Sequence, residues 1–260
     1  MCFVPDSQVI FTHVFLADIE GLPHHTCMYK DCFDLLRKQY NYLILPSGVA
    51  DFSNLIIEKL QKFLAAIDSE IANAKVKQVT KNEFIAKTRS RLNAINTFGR
   101  HFGDLMLLWE TKKEYFWSLV AKDRSLTRRE MIDLTTVKTK VFYRICSEHE
   151  VEFSGYEKAL SEKLFLLIKD SRKKGAIKHS ANDPDLLILA DCFIYKGERL
   201  DQGVMYLITD DREFYGTTIE IIEHPNLVFP EFKVTEKYIG FEPLKPEIFI
   251  SNFKTKLKTG

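Results

Sequence analysis

Long apolar runs are missing from this chain. No stretch approaches the roughly 18 residues that a membrane-spanning helix needs, and no basic segment followed by an apolar one opens the N-terminus. Neither membrane insertion nor export is expected. Glycine and proline are sparse, 11 and 8 of 260 residues, beside 20 Phe and 10 Tyr. That balance excludes long disordered or fibrous segments and leaves a packed fold, although length alone leaves the number of domains open. Cysteine is also uninformative as a framework. Cys2, Cys27, Cys32, Cys146 and Cys192 are an odd, scattered set with neither a disulfide pattern nor paired CxxC zinc spacing, so reduced thiols in a cytoplasmic protein are expected. His24, His25, Cys27 and Cys32 in HHTCMYKDC are irregularly spaced and read as loop residues rather than a zinc site.

Net charge is nearly absent too, at +1, but the total hides an asymmetry. From Ile56 to Lys178 there are 25 Lys and Arg against 16 Asp and Glu, leaving 12 basic and 20 acidic residues in the flanks. An acidic part beside a basic arm suits a protein that holds metal cations with one and a polyanion with the other. A solvated helical face would show the same surplus.

The run QVIFTHVFLA, residues 8 to 17, is rich in β-branched and aromatic side chains and reads as a buried strand ending at Asp18. Residues 28 to 40 predict a helix with Phe33, Leu35 and Leu36 inward, and YLIL at 42 to 45 a second strand, which together make a βαβ unit. Ile56, Leu60, Phe63, Ile67 and Ile71 then fall at helical spacing, and capping-box pairs follow at Thr80 and Glu83, Thr127 and Glu130, and Ser154 and Glu157. RKKG at 172 to 175 ends the last of these helices, so about 53 to 175 should be helical. The αβ pattern returns with Asn182 or Asp183 capping a helix that has Pro184 in its first turn. Strands VMYLIT (204 to 209) and NLVF (226 to 229) follow, then a helix opened by Pro246 with Ile248, Phe249, Phe253 and Leu257 inward.

Several acids fall where an apolar strand ends or the next helix begins: Asp18 after VFLA, Asp51 after YLILPSGVA, Asp185 just inside its cap, and Asp211 past VMYLIT. In an open parallel sheet such points share the C-terminal edge. Carboxylates gathered there repel one another unless a cation lies between them, and oxygen-only ligation favours Mg²⁺ or Mn²⁺. Taken singly, Asp51 and Asp185 are explained by the helix dipole and Asp183 by capping.

The stretch SANDPDLLILADCFIYKGERLDQGVMYLITDDREF, Ser180 to Phe214, resembles the second half of a PIN domain: an Asp opening an apolar helix, then a strand ending in T-x-D-x-x-F. YLILPSGVADFSNL resembles that family's second strand and helix, and VFLADIEGL its opening strand. Two departures stand out. The family's first Asp is commonly followed by Thr or Ser, where Ile19 and Glu20 stand here, and the second acid is Asp51 rather than Glu. The resemblance implies an α/β fold, a PIN-like open parallel sheet flanked by helices, with residues 1–55 and 179–260 as the core and 56–178 as a large helical insertion. It implies a Mg²⁺- or Mn²⁺-dependent ribonuclease, read as an endonuclease acting on single-stranded RNA, with Asp18, Asp51, Asp185 and Asp211 as metal-binding acids, Asp210 an additional ligand and Thr209 a neighbouring polar contact.

Lys75, Lys77, Lys81, Lys87, Arg89, Arg91 and Arg100 of the basic segment are the expected RNA contacts. No membrane partner is expected, and a homodimer is left open. Two other readings remain. ADIEG is similar to the nucleophile motif of haloacid-dehalogenase-like phosphatases, with Asp18 as nucleophile, Ser47 and Lys178 as later motif residues and 55 to 175 as a cap. The other is a catalytically degenerate module that only binds RNA.

Overall fold

A computed structural model describes residues 1–16, 24–95, 97–98, 102–200, 203–228 and 240–254. In chain order it runs β1 (Cys2–Pro5), α1 (Ser7–Leu16), α2 (His24–Gln39), α3 (Pro46–Asn54), a π-helical turn (Leu55–Leu60), α4 (Gln61–Lys77), α5 (Lys81–Asn93), α6 (Phe102–Ser118), a 3-10 turn (Leu119–Ala121) and α7 (Arg124–His149). It continues with α8 (Gly155–Lys173), α9 (Asp183–Arg199), β2 (Met205–Ile208), α10 (Arg212–Glu223), α11 (Pro225–Val228), β3 (Phe241–Leu244) and α12 (Pro246–Lys254). The protein is mostly helical with a small open parallel sheet, an α/β arrangement. No described helix is long and apolar enough to cross a membrane.

The chain divides into two compact units, one of residues 1–13, 23–51 and 146–260, the other of 14–22 and 52–145. The segment expected as one insertion, 56–178, is thereby shared: α8 belongs with the sheet, against α9.

In the first unit β2 lies between β1 and β3, parallel to both, with Pro5 opposite Ile208 and Ile208 opposite Leu244. Alternation along each strand feeds two faces. On one, Phe3 and Tyr206 stack at 5.3 Å while Phe249 and Phe253 of α12 meet Phe3 edge-on at 5.1 and 5.4 Å. On the other, Val4, Met205, Leu207 and Phe241 pack with Leu186, Leu189 and Phe193 of α9 and Phe214 of α10. Ser154 caps α8 through a full capping box with Glu157, and Asn182 caps α9 through the Asp185 N–H, as the sequence indicated.

In the second unit Phe84 of α5 packs at 6.1 Å from Trp109 of α6, whose ring stacks on Phe116, and Phe52 stacks on Phe142 at 3.7 Å. The Thr80 capping box opens α5 as expected. Thr127 does not cap a helix. It lies inside α7, its hydroxyl donating to the Asp123 and Leu119 carbonyls, while Glu130 accepts from Tyr115 and Lys122.

Three strand expectations are corrected. Residues 7 to 16 are helical, and the described side chains are buried almost all round; an apolar run of that length does not reveal its period, so composition alone favoured a strand. YLIL contributes isolated bridges from Phe3 to Tyr42 and from Ile44 to Glu150 and no strand, because Pro46 starts α3 at once. Asn226, Leu227 and Val228 of NLVF lie in the short helix α11, with Phe229 outside the described residues, and the third strand is FEPL. Phe249 and Phe253 are buried as expected, Ile248 is exposed at 39%, and Leu257 lies outside the described residues.

Glu157 ties α8 to α9. Its carboxylate takes Arg199 Nε and Nη2 at 2.5 and 2.7 Å besides the Ser154 amide, and the guanidinium holds its pKa from 4.5 down to about 2. A lowered carboxyl pKa adds stability that is present above 4.5 and lost as the pH falls toward 2. The urea midpoint of the wild type should therefore drop over that interval, and Glu157→Gln should flatten this part of the profile, as fluorescence-monitored unfolding at stepped pH would read.

Candidate functional site

The C-terminal edge of the sheet gathers polar residues because each strand stops there. β1 ends in Pro5 and Asp6 begins the turn into α1: its carbonyl accepts from Val9 N, and its Oδ1 accepts from Ser7 N at 2.6 Å. Asp6 is 5% exposed, so its carboxylate depends on such donors. Thr209, fully buried just past β2, donates its hydroxyl to Asp6 Oδ2 at 2.9 Å, and Thr209 Oγ1 accepts from Asp211 N at 3.1 Å. One hydroxyl, 203 residues from Asp6 in sequence, thus links the Asp6 carboxylate to the backbone of Asp211.

Asp211 caps α10, its Oδ1 accepting from Glu213 N and Phe214 N, each at 2.9 Å. Asp210 is exposed and accepts from the buried Tyr29 hydroxyl of α2 at 2.8 Å. Thr209, Asp210 and Asp211 therefore stand at a strand end as expected. Compared with family models, curated proteins and solved structures, the chain matches none.

Of the remaining expected acids, Asp185 stands in the first turn of its helix as expected and Asp51 does not. Asp18 lies outside the described residues, and the described part of the run before it, up to Leu16, is a helix rather than the expected strand. Asp6, rather than Asp18, is the acid that follows the first strand, and Ser7 follows it. The signal was available: CFVP is an apolar run, but at four residues it is shorter than the stretch beside it. Asp51 is buried midway along α3 rather than in its first turn, and Asp185 is buried in the first turn of α9. Among the described residues no group of three or more His, Cys, Asp or Glu side chains is arranged to hold a metal ion.

Asp191 was also missed. On α9, it accepts from Ser47 N and Oγ at 2.9 and 2.6 Å and from Ser161 Oγ at 2.5 Å, while burial pushes its carboxyl pKa up. It is legible only in three dimensions, because its partners lie 144 and 30 residues away. Ser47 is thereby committed to holding α3 against α9.

The expected RNA contacts are largely engaged inside the second unit. Lys81 pairs with Glu114 at 2.5 Å, Arg89 with Glu110 at 3.6 Å and Arg91 with Glu70 at 2.6 Å, and Lys75 donates to the Lys122 carbonyl. Lys77 and Lys87 line a small cavity beside Phe84, and Arg100 is outside the described residues. A groove of α4 and α7 lined by Asp68, Arg124, Arg128 and Ile132 includes none of them.

Thr209→Val keeps the branched shape but removes the donor to a buried carboxylate, and should cost about 1–3 kcal/mol in urea unfolding, whereas Thr209→Ser should cost less than half of that. Equal stability of the two variants would show that the hydroxyl does not hold Asp6.

Proposed function

We propose that the chain is a ribonuclease that hydrolyses phosphodiester bonds of single-stranded RNA at the C-terminal edge of its sheet, with Asp6, Thr209 and Asp211 at the centre. The observation that carries this reading is the Thr209 hydroxyl, which donates to the Asp6 carboxylate and accepts from the backbone N–H of Asp211, so that the segments carrying the two acids are tied together at the strand ends. The pattern from Asp185 to Phe214, similar to that of PIN-domain nucleases, supports it, now with Asp6 in the place expected of Asp18.

The chemistry assigned to these side chains is modest. Asp211 uses Oδ1 as the helix cap, and Oδ2 has no hydrogen bond among the described residues, so that oxygen is placed to accept the proton of an attacking water. Thr209 fixes the spacing between Asp211 and Asp6 through one oxygen. The opening of α10 presents the positive end of its dipole toward a phosphate. Oxygen donors of this kind suit Mg²⁺ or Mn²⁺, and a cation bound there would lessen their mutual repulsion.

The test is cleavage of a fluorophore- and quencher-labelled single-stranded RNA with added Mg²⁺ or Mn²⁺. Asp6→Asn and Asp211→Asn should each lower the rate roughly 100-fold or more, while Asp18→Asn leaves it near wild type. Asn caps helices about as well as Asp, so the Asp211 variant should stay folded. The reading falls if the Asp6 variant cleaves at the wild-type rate, or if the wild type binds the RNA equally with and without the cations and never cuts it.

A further inference from the structure

The register that joins Asp6 to Thr209 sets a third residue beside them. Pro5, Ile208 and Leu244 pair across the three strands, and the bonds from Asp6 N to the Ile208 carbonyl (2.9 Å) and from Thr209 N to the Leu244 carbonyl (3.2 Å) extend the pairing one residue further. Lys245 is therefore abreast of Thr209, on the side away from Asp6. Its ammonium lies 5.9 Å from the centroid of the Tyr215 ring. Tyr215 in turn is one helical turn beyond Asp211, its N–H donating to the Asp211 carbonyl at 2.8 Å. Both side chains are half-buried.

The surroundings of Lys245 differ from those of the helical cations. Lys81, Arg89 and Arg91 each face a carboxylate. Among the described residues none pairs with Lys245, which is set over an aromatic face within a turn of an acidic centre. A lysine is a compact charge that suits a phosphate oxygen, and a ring beside it offers a surface on which a base can stack. The juxtaposition is directional: phosphate toward the ammonium, base toward the ring, scissile bond toward Asp211.

We propose that Lys245 and Tyr215 form the subsite for the nucleotide next to the scissile bond, Lys245 holding its phosphate and Tyr215 its base. The assignment rests on the reading of the Asp6, Thr209 and Asp211 centre given above. It makes single-strandedness a requirement of the site, because a base paired within a helix has no free face to offer Tyr215.

The test uses the full chain, a fluorescein-labelled oligouridylate and a labelled RNA duplex of equal length. Affinity is read by anisotropy across a salt series and KM by cleavage in Mn²⁺. Lys245→Gln should weaken single-strand binding several-fold and reduce the salt slope by about 0.7, the amount for one contact to a single strand, with Lys245→Arg restoring both. Tyr215→Leu should weaken it roughly five- to a hundred-fold, in line with the loss of one stacked base, and Tyr215→Phe should not. The duplex should respond to neither change at Tyr215. If Lys245→Gln and Tyr215→Leu bind the oligouridylate as the wild type does, with the same salt slope and KM, the subsite falls even where Asp6 and Asp211 prove necessary for cleavage. If those two variants lose affinity while Asp6→Asn and Asp211→Asn cleave normally, the subsite stands and the hydrolytic centre falls.

Discussion

β2 hydrogen-bonds in parallel to β1 on one side and β3 on the other, and that pairing constrains everything at the candidate site. The strands are four residues each, too short to tolerate slippage: a one-residue shift would turn Val4 and Leu207 out of the α9 face and Phe3 and Tyr206 out of the aromatic face. Once the register is fixed by those two apolar faces, the residues following the strands have no choice of neighbour. Asp6 meets Thr209 because Pro5 meets Ile208.

Helix α9 sets the other boundary of the site. It buries Leu186, Leu189 and Phe193 against the sheet and carries two buried acids, Asp185 and Asp191. Buried carboxylates are costly without donors, and the fold supplies them from other elements: Ser47 from α3 and Ser161 from α8 for Asp191. The Glu157 to Arg199 pair fastens α8 to the far end of the same helix. Apolar packing therefore positions α9, and polar contacts determine which neighbours it accepts.

Local signals were legible and nonlocal ones were not. The Asn182 cap, the Thr80 and Ser154 capping boxes and the strand before Asp210 depend on residues within a few positions of one another, and each is found. The failures share a physical cause. QVIFTHVFL is a helix buried on both of its faces, which erases the period that distinguishes helix from strand in the sequence. CFVP was overlooked beside that longer run, and Asp6 with it. Thr127 has the capping spacing, yet α7 begins three residues earlier at Arg124, where Asp123 satisfies the first amides. Asp191 and Lys245 acquire their surroundings only when distant segments meet, so no window along the chain contains the relevant partners.

The pairing of β1 with β2 joins Cys2 to Met205 across most of the length of the chain. During synthesis, β1 has only the bridge from Phe3 to Tyr42 until β2 has followed it, and the short apolar strand must wait for its strand partner through the translation of every helix up to α9. The entropy of closing that loop grows only slowly with its length, but the delay grows in direct proportion. Vectorial folding is therefore closed to this sheet, and the edge on which Asp6, Thr209 and Asp211 come together cannot form before β2 has been made.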